Sequence, residues 1–110
     1  MEYMTLREVC DSAGVSRRAI QGYENAGLVF ASGKNERGYL LYDLHSLDRI
    51  KRIKLYQQFG FTVKEIGDII DAPNSVLKAV LENQLIRLKE EKRQIELLID
   101  KAGELITKYS

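Results

Sequence analysis

Residues 15–28 read VSRRAIQGYENAGL, and the spacing of their apolar side chains predicts a short helix. Apolar residues that recur every three or four positions lie on one side of a helix and pack against the core. In this segment they are Ala19, Ile20 and Tyr23. Ser16 is suited to cap the helix at its start, and Gly27 is suited to end it in a left-handed conformation. The polar side chains left on the outer face belong to Arg17, Arg18 and Gln21.

Another short helix is predicted just before this one. Residues 5–8, Thr-Leu-Arg-Glu, match a capping box, in which the Thr side chain accepts a first-turn N–H and the Glu side chain reaches back to the start. Leu6, Val9 and Cys10 then lie on one face, and Gly14 permits a tight bend. Two short helices joined by a turn that contains glycine are typical of a helix-turn-helix.

The residues that follow predict a small β-hairpin. Residues 28–30 (Leu-Val-Phe) and 39–42 (Tyr-Leu-Leu-Tyr) are two β-prone runs, separated by a polar loop that contains glycine and asparagine. A hairpin placed directly after a helix-turn-helix is called a wing. We expect residues 28–30 and 39–42 to form its two strands.

Two further helices are predicted before the only proline, Pro73. Asp43 can cap a helix from about Leu44 to Phe59, and residues 62–65 form a second capping box. Residues 49–54, RIKRIK, place four cations beside the apolar stripe of the longer helix, and we expect most of them to lie on a solvated face. The segment around Pro73 is the natural boundary of this first domain.

The last third of the chain has heptad periodicity. Positions that step by four and three residues in alternation between 81 and 106 are apolar, with Lys92 as the exception. Such a pattern predicts a coiled coil. An uncovered apolar stripe needs a partner, and a second copy of the chain is the simplest one, so we expect a homodimer, which is antiparallel if the two globular domains are to lie apart. The residues predicted to form the dimer contact are Leu81, Leu85, Leu88, Ile95, Ile99, Ala102 and Ile106.

The composition argues against several classes of function. Lys and Arg number 17 against 16 Asp and Glu, so the net charge alone gives no sign of nucleic-acid binding. A single Cys (Cys10) and a single His (His45) leave no second ligand for a Cys/His metal site, and no glycine-rich phosphate loop is present. We therefore expect no enzyme activity, no metal and no cofactor. Without a recognisable signal peptide or membrane span, and with one cysteine, we expect a cytoplasmic protein.

Three segments, in the correct order, resemble the MerR family of bacterial transcription regulators. Residues 15–28 resemble the family pattern V-S-x-x-T-L-R-Y-Y-E-x-x-G-L, residues 38–43 resemble its wing signature G-Y-R-x-Y-s, and residues 59–66 resemble l-G-F-s-L-x-E-I. The resemblance implies a mainly α fold with a small β-hairpin wing. It implies a winged helix-turn-helix DNA-binding domain over residues 1–72, followed by a long antiparallel coiled-coil dimerisation helix over residues 73–110.

The resemblance also implies a homodimer that binds a near-palindromic promoter operator and distorts the DNA so that RNA polymerase can engage. The residues expected to contact double-stranded DNA are Ser16, Arg17, Arg18, Gln21, Tyr23, Lys34, Arg37 and Tyr39. Tyr23 could donate its hydroxyl to a phosphate, or it could be an ordinary core residue, and the sequence favours neither alternative. The family usually has Arg where this chain has Gln21 and Leu40, and an aromatic residue where it has Gly22. These departures reduce the expected set of contacts.

The shortage of Cys and His favours the drug- or metabolite-sensing branch of the family over the metal-sensing branch. We expect any effector to bind in a domain beyond Ser110, because the sequence stops where a sensing domain would begin; a short form that works without a ligand is the alternative. Two other functions stay open. One is an architectural or excision-type factor that bends DNA, and the other is a coiled-coil adaptor that has lost DNA binding.

Overall fold

The computed structural model describes residues 2–110, which form three short strands and five helices. The strands are β1 (Met4–Thr5), β2 (Gly33–Lys34) and β3 (Leu40–Tyr42). The helices are α1 (Leu6–Ala13), α2 (Arg17–Asn25), α3 (Leu44–Gln58), α4 (Val63–Ile69) and α5 (Asn74–Lys108). The chain divides into two compact units, of which the first ends at Ala72 and the second begins at Pro73.

Side-chain caps begin the first four helices, as the sequence predicts. In the box that opens α1, Thr5 Oγ1 accepts the N–H of Glu8 at 3.3 Å, and Glu8 Oε1 accepts the N–H of Thr5 at 3.1 Å. The second capping box, at Thr62 and Glu65, forms in the same way. Because the first amides of a helix have no partner inside it, these side chains define where each helix starts. The single caps of α2 and α3 are Ser16 and Asp43.

The three strands form one antiparallel sheet with β3 in the centre, in the order β1-β3-β2. Met4 lies opposite Tyr42 in the β1–β3 pair, and Lys34 lies opposite Leu40 in the β2–β3 pair. The prediction of a strand at residues 28–30 is wrong. The N–H of Leu28 bonds to a carbonyl of α2, and Leu28 and Val29 are both buried, so this segment closes the end of α2 and fills the core.

The core of the first unit is built around α3. Its apolar side chains at intervals of three or four residues are buried, and each such side chain removed from water contributes roughly 1.5–3 kcal/mol to folding. The helices α1, α2 and α4 and the strand β3 also contribute buried side chains to this core. The fully buried residues are Val9, Ile20, Tyr42, Ile50, Ile53 and Ile66.

Cations of α3 bind the ends of neighbouring helices. The last carbonyls of a helix lack partners within it and carry partial negative charge. Lys54 Nζ donates to the carbonyl of Gly14, which ends α1, at 2.8 Å. Arg52 Nη2 donates to the carbonyl of Ile70, which ends α4, at 3.2 Å. The two side chains therefore hold α1 and α4 against α3.

Arg49 makes a third connection of this kind. Its Nε donates to the carbonyl of Leu28, just after the end of α2, and its Nη1 and Nη2 donate to the two carboxylate oxygens of Asp71 at 2.7 and 2.9 Å. Such a two-pronged pair fixes orientation as well as distance. Three of the four cations in residues 49–54 thus bond to other segments, while Lys51 and Arg52 are exposed, so the expected solvated face also holds the neighbouring helices in place.

Replacing Asp71 with Asn tests the ion pair through its pH dependence. Hydrogen bonds and charge from Arg49 hold the pKa of Asp71 below its usual value of 3.8. The pair therefore stabilises the fold above that value, and the stabilisation is lost as the pH falls through the lowered pKa. We expect Asp71→Asn to unfold at lower urea concentration than wild type at neutral pH, with the difference shrinking in acid.

Asp68→Asn is the matched control, since Asp68 is an exposed carboxylate of α4 outside the pair. Its urea midpoint should stay close to that of wild type. If the urea midpoints of Asp71→Asn and wild type differ by the same amount at neutral and at acid pH, that result would contradict the ion pair.

Candidate nucleic-acid interface

The outer face of α2 is fixed by the residues buried on its inner face. Ile20 and Tyr23 are buried, which turns the opposite side of the helix to solvent. Ser16 Oγ accepts the N–H of Ala19 at 3.0 Å, and the next two residues, Arg17 and Arg18, are exposed. A helix start combined with cations attracts phosphate. The predicted DNA contacts of α2 that are exposed are Ser16, Arg17, Arg18 and Gln21.

Tyr23 differs from the other predicted contacts because it faces inward. It is 2% exposed, and its hydroxyl donates to Gln57 Oε1 of α3 at 2.6 Å. A hydroxyl carries one proton, so a hydrogen bond to a phosphate oxygen would require this bond to be given up. The geometry favours the packing alternative for Tyr23, and its contact with DNA stays a prediction.

A half-buried hydrogen bond orients α2 against the sheet. The hydroxyl of Tyr42 in β3 donates to Glu24 Oε1 of α2 at 2.7 Å. Burial of the ring, followed by the bond to Glu24, raises the pKa of Tyr42 far above its usual value, so the hydroxyl remains a donor at physiological pH. Hydrogen bonds to a charged acceptor are among the stronger ones in proteins. This contact fixes α2 relative to the wing.

The side chain of Asn35 shapes the tip of the wing. Its Oδ1 accepts the N–H groups of Arg37 and Tyr39, at 2.9 and 3.0 Å, and Gly38 adopts a positive φ of 82° between them. These bonds hold a tight loop between β2 and β3 without using any basic side chain. The predicted contacts Lys34, Arg37 and Tyr39 are all exposed on this hairpin.

The wing and α2 meet at a cleft of about 520 Å³, which brings two predicted contacts together. Arg17 at the start of α2 and Tyr39 of the wing both line it. Arg7 of α1 also lines this cleft and was absent from the predicted contacts. Its position inside a capping box gave no sign of this, because only the fold places the first turn of α1 beside the wing. Leu40, one of the departures from the family pattern, lines the same cleft.

The turn between α1 and α2 depends on Gly14. This residue has φ of 66°, a conformation that favours glycine. A Cβ at Gly14 would lie 2.7 Å from Lys54 Nζ, so a larger residue would also displace the cation that binds the Gly14 carbonyl. The relative placement of α1 and α2 is therefore determined by a left-handed turn and one ammonium group.

Gly22, in contrast, is not required by the fold. It lies outside the set of glycines with positive φ, and a Cβ at this position would meet no atom within 4 Å. The outer face of α2 could therefore carry a side chain at this position, as the family pattern usually does. Because Gly22 has no side chain, the backbone of α2 is left uncovered between Arg18 and Asn25.

The described part of the chain lacks the features of a metal site and of a membrane span. Residues 2–110 contain no group of three or more His, Cys, Asp or Glu side chains placed to hold a metal ion. No helix in this part of the chain is both long and apolar enough to cross a bilayer.

Comparison with known proteins agrees with this geometry. The sequence model of the MerR HTH family regulatory proteins matches residues 4–73. The chain is 32% identical over 99 residues to the HTH-type transcriptional activator mta of Bacillus subtilis, covering 90% of this chain and 38% of that activator. It is 29% identical over 92 residues to the mercuric resistance operon regulatory protein of Bacillus cereus, covering 81% of this chain and 70% of that protein. The chain thus spans little more than a third of the activator's length.

Among solved structures, the N-terminus of MtaN, the multidrug transporter activator of Bacillus subtilis, matches with a TM-score of 0.74 and 29% identity, over 94% of this chain and 97% of that one. The predicted fold class, a mainly helical winged helix-turn-helix with a long C-terminal helix, is confirmed. Both sequence relatives are named as regulators rather than as enzymes. The family model covers more than half of the chain, and the chain therefore belongs to the MerR family of helix-turn-helix regulatory proteins.

Proposed function

We propose that this chain binds promoter DNA sequence-specifically as a homodimer and regulates transcription. The observation that carries the proposal is the exposed cationic face of α2 beside an exposed cationic wing. Arg17, Arg18, Lys34 and Arg37 form no ion pair with any residue in the part of the chain that the structure describes. Their charges are therefore available to a partner, and phosphates supply most of the affinity in protein–DNA contacts.

The start of α2 suits a major groove. Recognition helices of this motif contact base edges with residues near their N-termini, while flanking elements hold the backbone. Arg17 and Arg18 occupy that end, and the tip of the wing carries Lys34 and Arg37. In this proposal the α2 arginines contact bases or nearby phosphates, and the wing contacts the flanking backbone or the minor groove.

Dimerisation follows from α5 and from the symmetry of operators. Among its described residues α5 buries none, and its exposed apolar residues include Leu85, Ile95, Ile99 and Ile106. A stripe of this kind is stable in water when another helix covers it. Two copies joined through α5 would present two recognition helices to two half-sites, which explains why we expect a near-palindromic operator.

The mode of regulation is a further part of the proposal. Relatives such as the mta activator are longer than this chain, and we propose that an effector, where one acts, is a drug-like or metabolite ligand bound by a domain beyond Ser110. The bound dimer would then distort an overlong promoter spacer so that RNA polymerase can engage. Part of the sequence preference would come from the cost of deforming DNA.

Replacing Arg18 with Ala tests the interface. Loss of one guanidinium at the start of α2 is expected to weaken specific binding by about 1–3 kcal/mol. The measurement is fluorescence anisotropy with a labelled duplex from the gene's own upstream region, over a series of salt concentrations. Wild-type affinity should fall steeply with salt, because bound phosphates release counterions.

Arg87→Ala is the matched control, because it removes the same charge from an exposed position on α5. An Arg18→Ala variant that binds as tightly as Arg87→Ala would remove Arg18 from the interface. Wild-type binding that is absent, or insensitive to salt, would instead support the coiled-coil adaptor. Binding and bending without any effect on transcription from the neighbouring promoter would support an architectural factor.

Replacing Lys54 with Met tests whether the helix-turn-helix must be held from α3. The variant keeps the apolar stem but loses the hydrogen bonds to the carbonyls of Ala13 and Gly14. We expect a loss of about 1.5–3 kcal/mol in the free energy of unfolding, the usual size for a hydrogen bond to a charged group. DNA affinity should fall as well, because α1 and α2 lose their fixed relation.

Lys51→Met, on the exposed side of the same helix, supplies the control for the lost charge. Circular dichroism and urea unfolding would establish that both variants are folded under the conditions of the binding assay. Equal DNA affinities for Lys54→Met and Lys51→Met would show that the Lys54 contact does not position the interface.

A further inference from the structure

We infer that α5 pairs with α5 of a second copy in one antiparallel register, with the two-fold axis between residues 93 and 94, and that Lys89 and Glu96 select this register. The inference rests on the homodimer of the proposed function and specifies its contact. It arises from the apolar stripe of α5 and from the charged residues that border it.

The stripe itself favours this axis. In an antiparallel coiled coil, the two kinds of apolar position in the heptad face each other across the pair. With the axis between residues 93 and 94, all eight seam positions find a facing position. The facing pairs are Leu81 with the partner's Ile106, Leu85 with the partner's Ala102, Leu88 with the partner's Ile99, and Lys92 with the partner's Ile95. A shift of one heptad in either direction leaves only six of the eight positions covered.

The charges that border the seam favour the same axis. Residues that flank the seam on the same side meet across an antiparallel pair, so Lys89 lies beside the partner's Glu96, and by symmetry Glu96 lies beside the partner's Lys89. Opposite charges at such positions stabilise a coiled coil and specify its partner. The dimer therefore gains two ion pairs from one pair of residues in the sequence.

Every competing arrangement brings like charges together. One heptad shift places Lys89 beside the partner's Lys89, and Glu91 beside the partner's Glu91. The opposite shift places Glu96 beside the partner's Glu96. In a parallel pair, the flanking residue Glu91 would meet the partner's Glu96. Like charges at facing positions destabilise pairing, so the sequence disfavours each alternative as well as favouring one register.

The single chain leaves these two charges unpaired. Glu90 and Arg93, which lie on the side of the helix away from the seam, form an ion pair with each other at 2.8 Å. Lys89 and Glu96 are exposed, and neither forms a hydrogen bond or ion pair with another described residue. Glu90 and Arg93 are thus paired within α5, whereas Lys89 and Glu96 remain available to a second helix.

Charge reversal in the whole 110-residue chain tests the inference. Lys89→Glu creates two like-charge contacts per dimer, and so does Glu96→Lys, so each variant alone should dimerise about tenfold to thirtyfold more weakly than wild type. The double variant Lys89→Glu/Glu96→Lys should regain wild-type affinity. An equimolar mixture of the two single variants should form heterodimers in preference to either homodimer. Sedimentation equilibrium gives the dissociation constants, and native mass spectrometry gives the composition of the mixture.

Arg87→Glu is the control, since it changes the net charge as Lys89→Glu does but lies on the outer side of α5. A parallel pair predicts that Glu96→Lys tightens the homodimer, and either shifted register predicts that Lys89→Glu leaves the homodimer as tight as that of wild type; each of these results would overturn the inference. A dissociation constant that Lys89→Glu raises no more than Arg87→Glu does would also overturn the inference. A wild-type chain that remains monomeric at micromolar concentration would overturn the proposed homodimer itself.

Discussion

The first unit depends on the way α3 satisfies the ends of the helices that pack around it. A helix that ends near the core leaves carbonyls without partners, and these carry partial negative charge. In this chain Lys54, Arg52 and Arg49 donate to carbonyls at or just beyond the ends of α1, α4 and α2, respectively. The isoleucines between these cations are fully buried. Residues 49–54 therefore supply both the centre of the core and the hydrogen bonds at its edge.

This arrangement connects the interior to the surface proposed to contact DNA. Lys54 binds the turn that joins α1 to α2, and Gln57, one helical turn further along α3, accepts the hydroxyl of Tyr23 on α2. On its other side, α2 is held by the bond between Glu24 and Tyr42. The arginines at the start of α2 thus extend from a helix that is fixed on two sides. Rigid support of this kind positions long, flexible side chains without bonding to them.

Local signals in the sequence were sufficient for the helices and their starting residues. Capping boxes and apolar periodicity depend on neighbours within four positions, so they can be recognised without knowledge of the fold. The errors arose where distant segments compete for the same residues. Residues 28–30 are β-prone but are needed to close α2 and fill the core, and the strand Met4–Thr5 has no signal beyond its pairing with β3. The bonded cations of α3, and Arg7 beside the wing, could be recognised only once the neighbouring helix ends and the hairpin were in place.

The balanced charge of the chain also has a physical explanation. Its cations fall into those bonded within the protein, such as Arg49 and Lys54, and those left at the surface of α2 and the wing. The net charge counts both groups equally and therefore conceals the second. Local availability of charge, and not the total, determines whether a surface attracts a polyanion.

Gly22 gives the outer face of α2 a shape that its family pattern would not predict. The side chains of a helix normally hold its backbone away from any surface that they contact. Where one residue lacks a side chain, the peptide groups themselves can approach that surface. A duplex lying against α2 would meet a shallow notch at this point, flanked by polar side chains. Recognition there would depend on how closely the contour of the sugar-phosphate backbone follows the helix, a property that varies with the local width of the groove.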